Sequence, residues 1–228
     1  MVDLSPSSTE LATVRIPKDE NFINFIKEKD KGNDDGDKIY VNNFTLEKKI
    51  FWRFQLTRLL NRKVDPNTRL HFDDTFSLLT MACLLGLHDV VRRLLAHEDI
   101  DANAEDQWGY TAAFHAVRAN EIQCVQELAN SEKVDWNFIV KGLDTKITLE
   151  EYRYSIVTWA AKTLKFEILQ VLTEVKNINW NLQDVYGKNV VHHAVSTLKE
   201  EGDKILKLLM EKVPGIDWNA RDMGEILR

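Results

Sequence analysis

Apolar positions along the chain fall into short amphipathic blocks that come in pairs, and the pairs recur. The clearest unit spans 106–137, DQWGYTAAFHAVRANEIQCVQELANSEKVDWN. A turn signal opens it, two helix-length patterns follow, and an aliphatic-Asp-Trp-Asn tail closes it. The same tail (aliphatic, Asp or Asn, any residue, Asn) stands at 64–67, 100–103, 134–137, 178–181 and 216–219, with its final asparagines 36, 34, 44 and 38 residues apart. An alanine in the first helix of each unit, at Ala82, Ala116, Ala160 and Ala194, keeps the beat at 34, 44 and 34. A helix pair repeating every 34 or so residues predicts a helical solenoid. The longer intervals then mark insertions, a large one near 138–154 and a small one near 198–203 that is expected to lengthen a turn between helices.

Helix starts repeat as well. Ser77, Thr111, Ser155 and Asn189 each precede the marker alanine by five residues, and all four are residue types that cap exposed N–H groups. Second helices are expected near 89–96, 122–129, 167–173 and 204–212. Ahead of the first full unit, 45–62 reads as a strong amphipathic helix. Leu46, Ile50, Phe54, Leu59 and Leu60 form its apolar face, and Phe51, Trp52 and Leu56 widen it. That breadth predicts burial around most of the circumference. Pro66 ends the segment. Earlier still, 1–38 is a polar leader rich in Ser, Pro and charge. Within it 19–29 is patterned as a short helix, with Phe22, Ile23 and Ile26 on one side. This piece is expected to lie against the next element as a cap, or else to dock a partner.

Between Phe72 and Asn219 the chain resembles an ankyrin-repeat protein. The likeness is carried by Asp106-x-x-Gly109-x-Thr111, then Ala116, Val125, Leu128 and Val134-Asp135-x-Asn137. It returns in Asp184-x-x-Gly187 with His192 and Ala194, and in Gly86 followed by Asp89-Val90-Val91 and Leu94-Leu95. The resemblance implies an all-α solenoid of stacked helix-turn-helix units joined by hairpin-like fingers. It divides the chain into a leader (1–38), an N-terminal capping helix or degenerate repeat (39–71), repeats at 72–105, 106–138, 150–183 and 184–221, and the start of a truncated further repeat at 222–228. The family's Thr-Pro-Leu-His tetrapeptide is worn to SLLT, TAAF, SIVT and NVVH, leaving His192 alone in the histidine slot. The bracing that this histidine gives in the family is therefore expected to be partly apolar here. The third full unit carries Arg153 in place of the turn glycine, which puts a regular finger in question there.

Composition changes this picture little. Of 228 residues, 44% are hydrophobic and 29% charged, as in soluble globular chains, and the net charge of −6 offers no basic face for nucleic acid. No apolar run is long enough for a membrane span or a signal core. Cys83 and Cys124, both inside helical patterns, read as buried thiols, which points to the cytoplasm, with the nucleus as the alternative. The six histidines are scattered over different units, so no metal or cofactor is expected. No nucleophile elbow, phosphate loop or paired-carboxylate signature appears, so no catalytic residue is named.

Two groups of aromatic residues separate. Trp136, Trp180 and Trp218 share one slot of the tail and are expected to pack between repeats, with Trp159 packing inside a helix. Finger positions differ. The resemblance places the variable finger residues and the free edge of the first helices on a concave face. There Trp108, Tyr110, Arg118, Tyr152, Tyr154, Lys162, Tyr186 and Lys188 are the expected partner contacts, since aromatic rings and arginine carry most interface energy. The expected function is thus a non-enzymatic interaction module or adaptor, a monomer on its own, binding a protein segment with apolar groups and carboxylates. The other readings are a small-ligand or nucleotide sensor, and the repeat region of a larger receptor, channel or ubiquitin-ligase adaptor.

Overall fold

The structure is a computed structural model and describes residues 46–62, 64–70, 76–106, 108–140, 154–196 and 200–223. The leader, its expected 19–29 helix and most of the 138–154 insertion lie outside the described residues. Among those residues stand nine helices: α1 (Leu46–Asn61), α2 (Leu78–Leu84), α3 (His88–Leu95), α4 (Ala112–Arg118), α5 (Ile122–Ala129), α6 (Ile156–Lys162), α7 (Phe166–Thr173), α8 (Val190–Ser196) and α9 (Glu200–Lys212). From α2 onward they pair as α2–α3, α4–α5, α6–α7 and α8–α9. The first helices of each pair pack in one row and the second helices in another, with α1 laid against α2 and α3.

The first helices are seven residues long, too short to stand without neighbours, and α2, α4 and α6 are buried almost all round, while α8 leaves Val195 and Ser196 exposed. Each starts on its expected cap. Ser77, Thr111 and Ser155 accept from the N–H of Thr80, Phe114 and Thr158, while Asn189 accepts from Val191 and His192. The marker alanines are 0–1% exposed, a site where adjacent first helices leave room for one methyl. In the first three pairs a three-residue turn leads to the second helix, and its middle residue has positive φ: Gly86 at 69°, Asn120 at 58° and Leu164 at 57°. Glycine and asparagine adopt this region cheaply. Leu164 does so while packing its side chain against the core.

The small insertion falls elsewhere than expected. Helix α8 ends at Ser196 and α9 begins at Glu200, and the extra residues extend α9 to 13 residues against 8 for its counterparts. Glu200, Glu201 and Asp203 fill its first turn, where the helix dipole favours acids, and Glu200 pairs with Lys204 one turn on.

The tail asparagines turn out to be the staples of the stack. Asn67 Nδ2 donates to Asp99 O (2.7 Å) and its Oδ1 accepts from Asp101 N (2.8 Å). Asn103 repeats this with Lys133 O and Asp135 N, Asn137 with Asn177 O and Asn179 N, and Asn181 with Gly215 O and Asp217 N. Within each tail, the second residue's side chain accepts from the asparagine's own N–H, fixing the turn. Polar bracing between repeats therefore persists with the histidine slot nearly empty, because an amide can donate and accept across one repeat step.

Trp136 and Trp180 are buried as expected, whereas Trp218, in the last described tail, is 43% exposed. Helix α1 departs from expectation. Trp52, Leu56, Leu59 and Leu60 face the repeats, while Ile50, Phe51 and Phe54 point away and are exposed. The apolar face is thus split into two opposite strips, and only one is covered by described residues.

Candidate functional site

Two fingers are built alike. In one, Asp106 N donates to Tyr110 O (2.9 Å) and Gly109 N to Asp106 O (3.0 Å), with Gly109 at φ 76°. In the other, Asp184 pairs with Lys188 and Gly187 in the same way, with Gly187 at 74°. A buried carboxylate holds each turn. Asp106 Oδ1 accepts from Trp108 N and Tyr110 N, and its Oδ2 meets His115 Nε2 at 2.6 Å. Asp184 binds Tyr186 N, Lys188 N and His193 Nε2 in the same pattern. Burial alone would raise the Asp184 carboxyl. Hydrogen bonds from His193 and the two backbone amides prevail and hold it below its ordinary value. Burial pushes the His115 imidazole down, against the pull of Asp106. Sequence reading left these histidines aside; the signal was the shared nine-residue step from Asp106 to His115 and from Asp184 to His193.

The large insertion sits where a finger sits. Val140 N donates to Tyr154 O (3.2 Å), and Ile139 bridges Ser155, as Leu70 pairs with Phe76 and Arg69 with Ser77 at the start of the first full unit. The described ends of the insertion thus meet as a finger base does, and the helices on either side keep their packing.

Of the expected contacts, two are corrected in placement. Tyr110 and Tyr154 do not stand on open turn tips; they are 9% and 7% exposed. Each is the last residue before a helix cap, which turns its ring back under the finger. Tyr110 stacks on Phe114 at 5.0 Å and meets His115 edge-on at 5.4 Å. Tyr154 lies against Trp159 at 5.4 Å and His193 at 5.8 Å. Eight residues on, at the end of the first helix, each tyrosine meets a cation. Arg118 lies 5.5 Å from the Tyr110 ring centroid. The Lys162 ammonium sits 4.5 Å from the Tyr154 centroid, 5.7 Å from that of Trp159, and donates to Tyr154 Oη at 2.8 Å. The two central repeats thus carry matching units, a half-exposed cation seated on a buried ring. In the flanking units the same two positions hold Phe76 and Leu84 on one side, Lys188 and Ser196 on the other.

Trp108 is half-buried, its ring 5.7 Å from that of Phe76 one repeat back. Tyr186 is 38% exposed at its finger tip, and its carbonyl accepts from Met223 N (2.8 Å). Lys188 is half-exposed beside it. Tyr152 lies outside the described residues. The structure therefore gathers Trp108, Arg118, Lys162, Tyr186 and Lys188 along finger tips and first-helix ends, with Tyr110 and Tyr154 beneath. On the second-helix side, a groove of about 220 Å³ is lined by Arg92, Leu95, Glu127 and Asn130 and crossed by the Arg92–Glu127 ion pair. It is smaller than typical ligand pockets.

Elsewhere, both thiols are buried. Cys124 is pushed up to about 12 by burial, and Cys83 is raised well above its ordinary value for the same reason, so neither is a ready nucleophile. No helix among the described residues is long and apolar enough to cross a membrane, and no group of three metal-ligating side chains gathers there.

Residues 54–139, from mid-α1 to the tail after α5, match the family model for ankyrin repeats (3 copies). Over that stretch the chain consists of ankyrin repeats. The match begins inside α1 and takes in its 64–67 tail. No curated protein matches the chain. Among solved structures, it is similar to a chain of the complex between a predatory endopeptidase from Bdellovibrio bacteriovorus and an immunity protein. The TM-score is 0.55 at 18% identity, covering 74% of this chain and 78% of that one. At that identity the likeness concerns the fold alone. Ankyrin repeats generally serve protein–protein interaction, are typically non-catalytic, and no enzyme family is indicated.

Proposed function

We propose that this ankyrin-repeat protein is a non-enzymatic interaction module that receives an extended segment of a protein partner along the finger tips and first-helix ends. The observation that carries this reading is the repeated ring-seated cation, Tyr110–Arg118 and Tyr154–Lys162. A cation held over a ring has little side-chain freedom left to lose on binding, so its bond to a carboxylate forms at low entropic cost. Trp108 and Tyr186 flank the pair and offer apolar contact. Neighbouring repeats set the two cations about 10 Å apart, the usual spacing of packed helices. An extended chain covers that distance in about three residues at ~3.3 Å each. The partner segment accordingly carries two carboxylates three residues apart, with an apolar residue next to them. A cytoplasmic or nuclear setting suits a chain whose thiols are both buried and unpaired.

The test is capture from source lysate with wild type, Trp108→Ala, and the double variant Arg118→Glu/Lys162→Glu. The reading expects the same captured protein to be lost in both variants while melting temperature stays within a few degrees. Retention in both would refute the face. Retention in the charge variant alone would refute the acidic segment.

A further inference from the structure

Helix α1 has two apolar faces, and the described repeats use one. Trp52, Leu56, Leu59 and Leu60 are buried against α2 and α3, while Ile50, Phe51 and Phe54 are 59%, 37% and 64% exposed on the opposite side. At 100° per residue, Ile50 and Phe54 lie on one line and Phe51 beside it, a strip with Arg58 at its edge. Other exposed large apolar residues are dispersed over α8, α9, a finger and the last tail. Three together on one helix make a surface that a free chain does not normally leave to water.

We infer that this strip is covered in cis by residues 19–29 of the same chain. Three observations favour that occupant. The segment reads DENFINFIKEK, and at helical spacing Phe22, Ile23, Phe25 and Ile26 fall on one side, a strip matching that of α1 in size and character. Nineteen residues, rich in Asp and Lys, separate Ile26 from Leu46. Such a linker has a typical end-to-end distance of about 25 Å, about the length of a 16-residue helix, so every point of the strip lies within reach. Tethering at that length gives an effective concentration near the millimolar range, which favours the attached segment over a second copy at ordinary protein concentrations. The segment also opens on Asp19 and Glu20, of opposite sign to Arg58. The ankyrin stack would then be closed at its N-terminal side by its own leader.

A cysteine pair tests this in the full chain, since both native thiols are buried. Asn24→Cys with Thr57→Cys, treated with a short bis-maleimide, should give an intramolecular link in the folded protein. Adding Ile23→Asp and Ile26→Asp should slow that link at least tenfold with the helical circular dichroism signal of the repeats unchanged. The added charges separate docking from chance encounters of a tethered thiol. A dimeric product in place of the internal link would overturn the inference in favour of a second copy. An internal link whose rate ignores the two charges, or no link at all, would overturn it outright.

Discussion

Replacing Asp106 tests how the central finger is held. Its carboxylate accepts two backbone N–H groups, from Trp108 and Tyr110, at 2.9 and 2.8 Å, and the imidazole of His115 at 2.6 Å. Asp106→Ala strands all three donors. Tyr110 and His115 are buried, so each orphaned donor costs about 1–3 kcal/mol, while the Trp108 amide is partly open to water and costs less. The expected loss is about 3–5 kcal/mol, a large share of the 5–15 kcal/mol typical of a folded domain. Asp106→Asn separates geometry from charge. The amide oxygen keeps both backbone bonds, but its nitrogen now donates toward His115 Nε2, which must become an acceptor. The ring proton then moves to Nδ1, which is buried without a partner. One stranded N–H predicts an intermediate cost of about 1–2 kcal/mol. Urea unfolding followed by circular dichroism reads both, with unchanged m-values as the control for a common denatured state. If Asp106→Ala unfolds at the wild-type midpoint, the finger is held by its two backbone bonds and the carboxylate is incidental. If the Asn variant is as unstable as the Ala variant, the tautomer argument fails.

Four further outcomes follow from the same geometry. Trp180→Ala, removing an indole buried between repeats, should cost about 3 kcal/mol or more in urea, whereas Trp108→Ala should shift the midpoint by a third of that or less while weakening partner binding by roughly 2 kcal/mol; equal effects on stability would erase the division into scaffold and contact rings. Asn103→Ala removes two inter-repeat bonds at an exposed tail and should cost about 1–2 kcal/mol, read by amide exchange as faster opening at Lys133–Asp135. Ala116→Leu should destabilise by about 1–3 kcal/mol in calorimetry, since the fully buried site between first helices has no room for the added carbons. Stability should fall on acidification in two steps. Below pH 6.5 the unfolded chain protonates its histidine before buried His115 does, and below 3.8 it protonates its aspartate before Asp184 does, so in both windows the unfolded state binds more protons; a urea midpoint flat from pH 7 to 5 in wild type would contradict the first step.

Period, caps and scaffold positions were legible because each is a local demand repeated in every unit. Ser77, Thr111, Ser155 and Asn189 could be named as caps from residue type and spacing alone. The marker alanines and the tryptophan slot carried the same redundancy. What escaped were pairings whose two ends lie in different blocks. Nothing local in Asn103 says that its amide will meet a carbonyl 30 residues on, and the Asp106–His115 bond shows only when the finger folds back on its helix. Exposure of aromatic residues was the other loss. Tyr110 and Tyr154 occupy a finger by sequence position, yet the backbone just before a cap turns them inward, so position along a turn did not give the side a ring faces. For α1 the pattern revealed breadth of apolar surface but could not say that two partners share it.

The inward turn of those tyrosines alters what the candidate face can discriminate. Open rings would bind most apolar segments, since stacking and burial carry little directional information. Rings placed under Arg118 and Lys162 fix instead where two positive charges stand, and charge position is costly to mismatch once water is excluded. Trp108 and Tyr186 then add affinity only after the charges are met, because each lies at a finger tip beside them. Under the proposed function, specificity would rest on the two central repeats, where ring and cation recur in register. The flanking units carry Leu84 and Ser196 in the cation position and tolerate variation in the partner. Exchanging the pair to Arg118→Leu and Lys162→Ser should therefore broaden the set of bound segments and flatten the salt dependence of binding, leaving stability close to that of wild type.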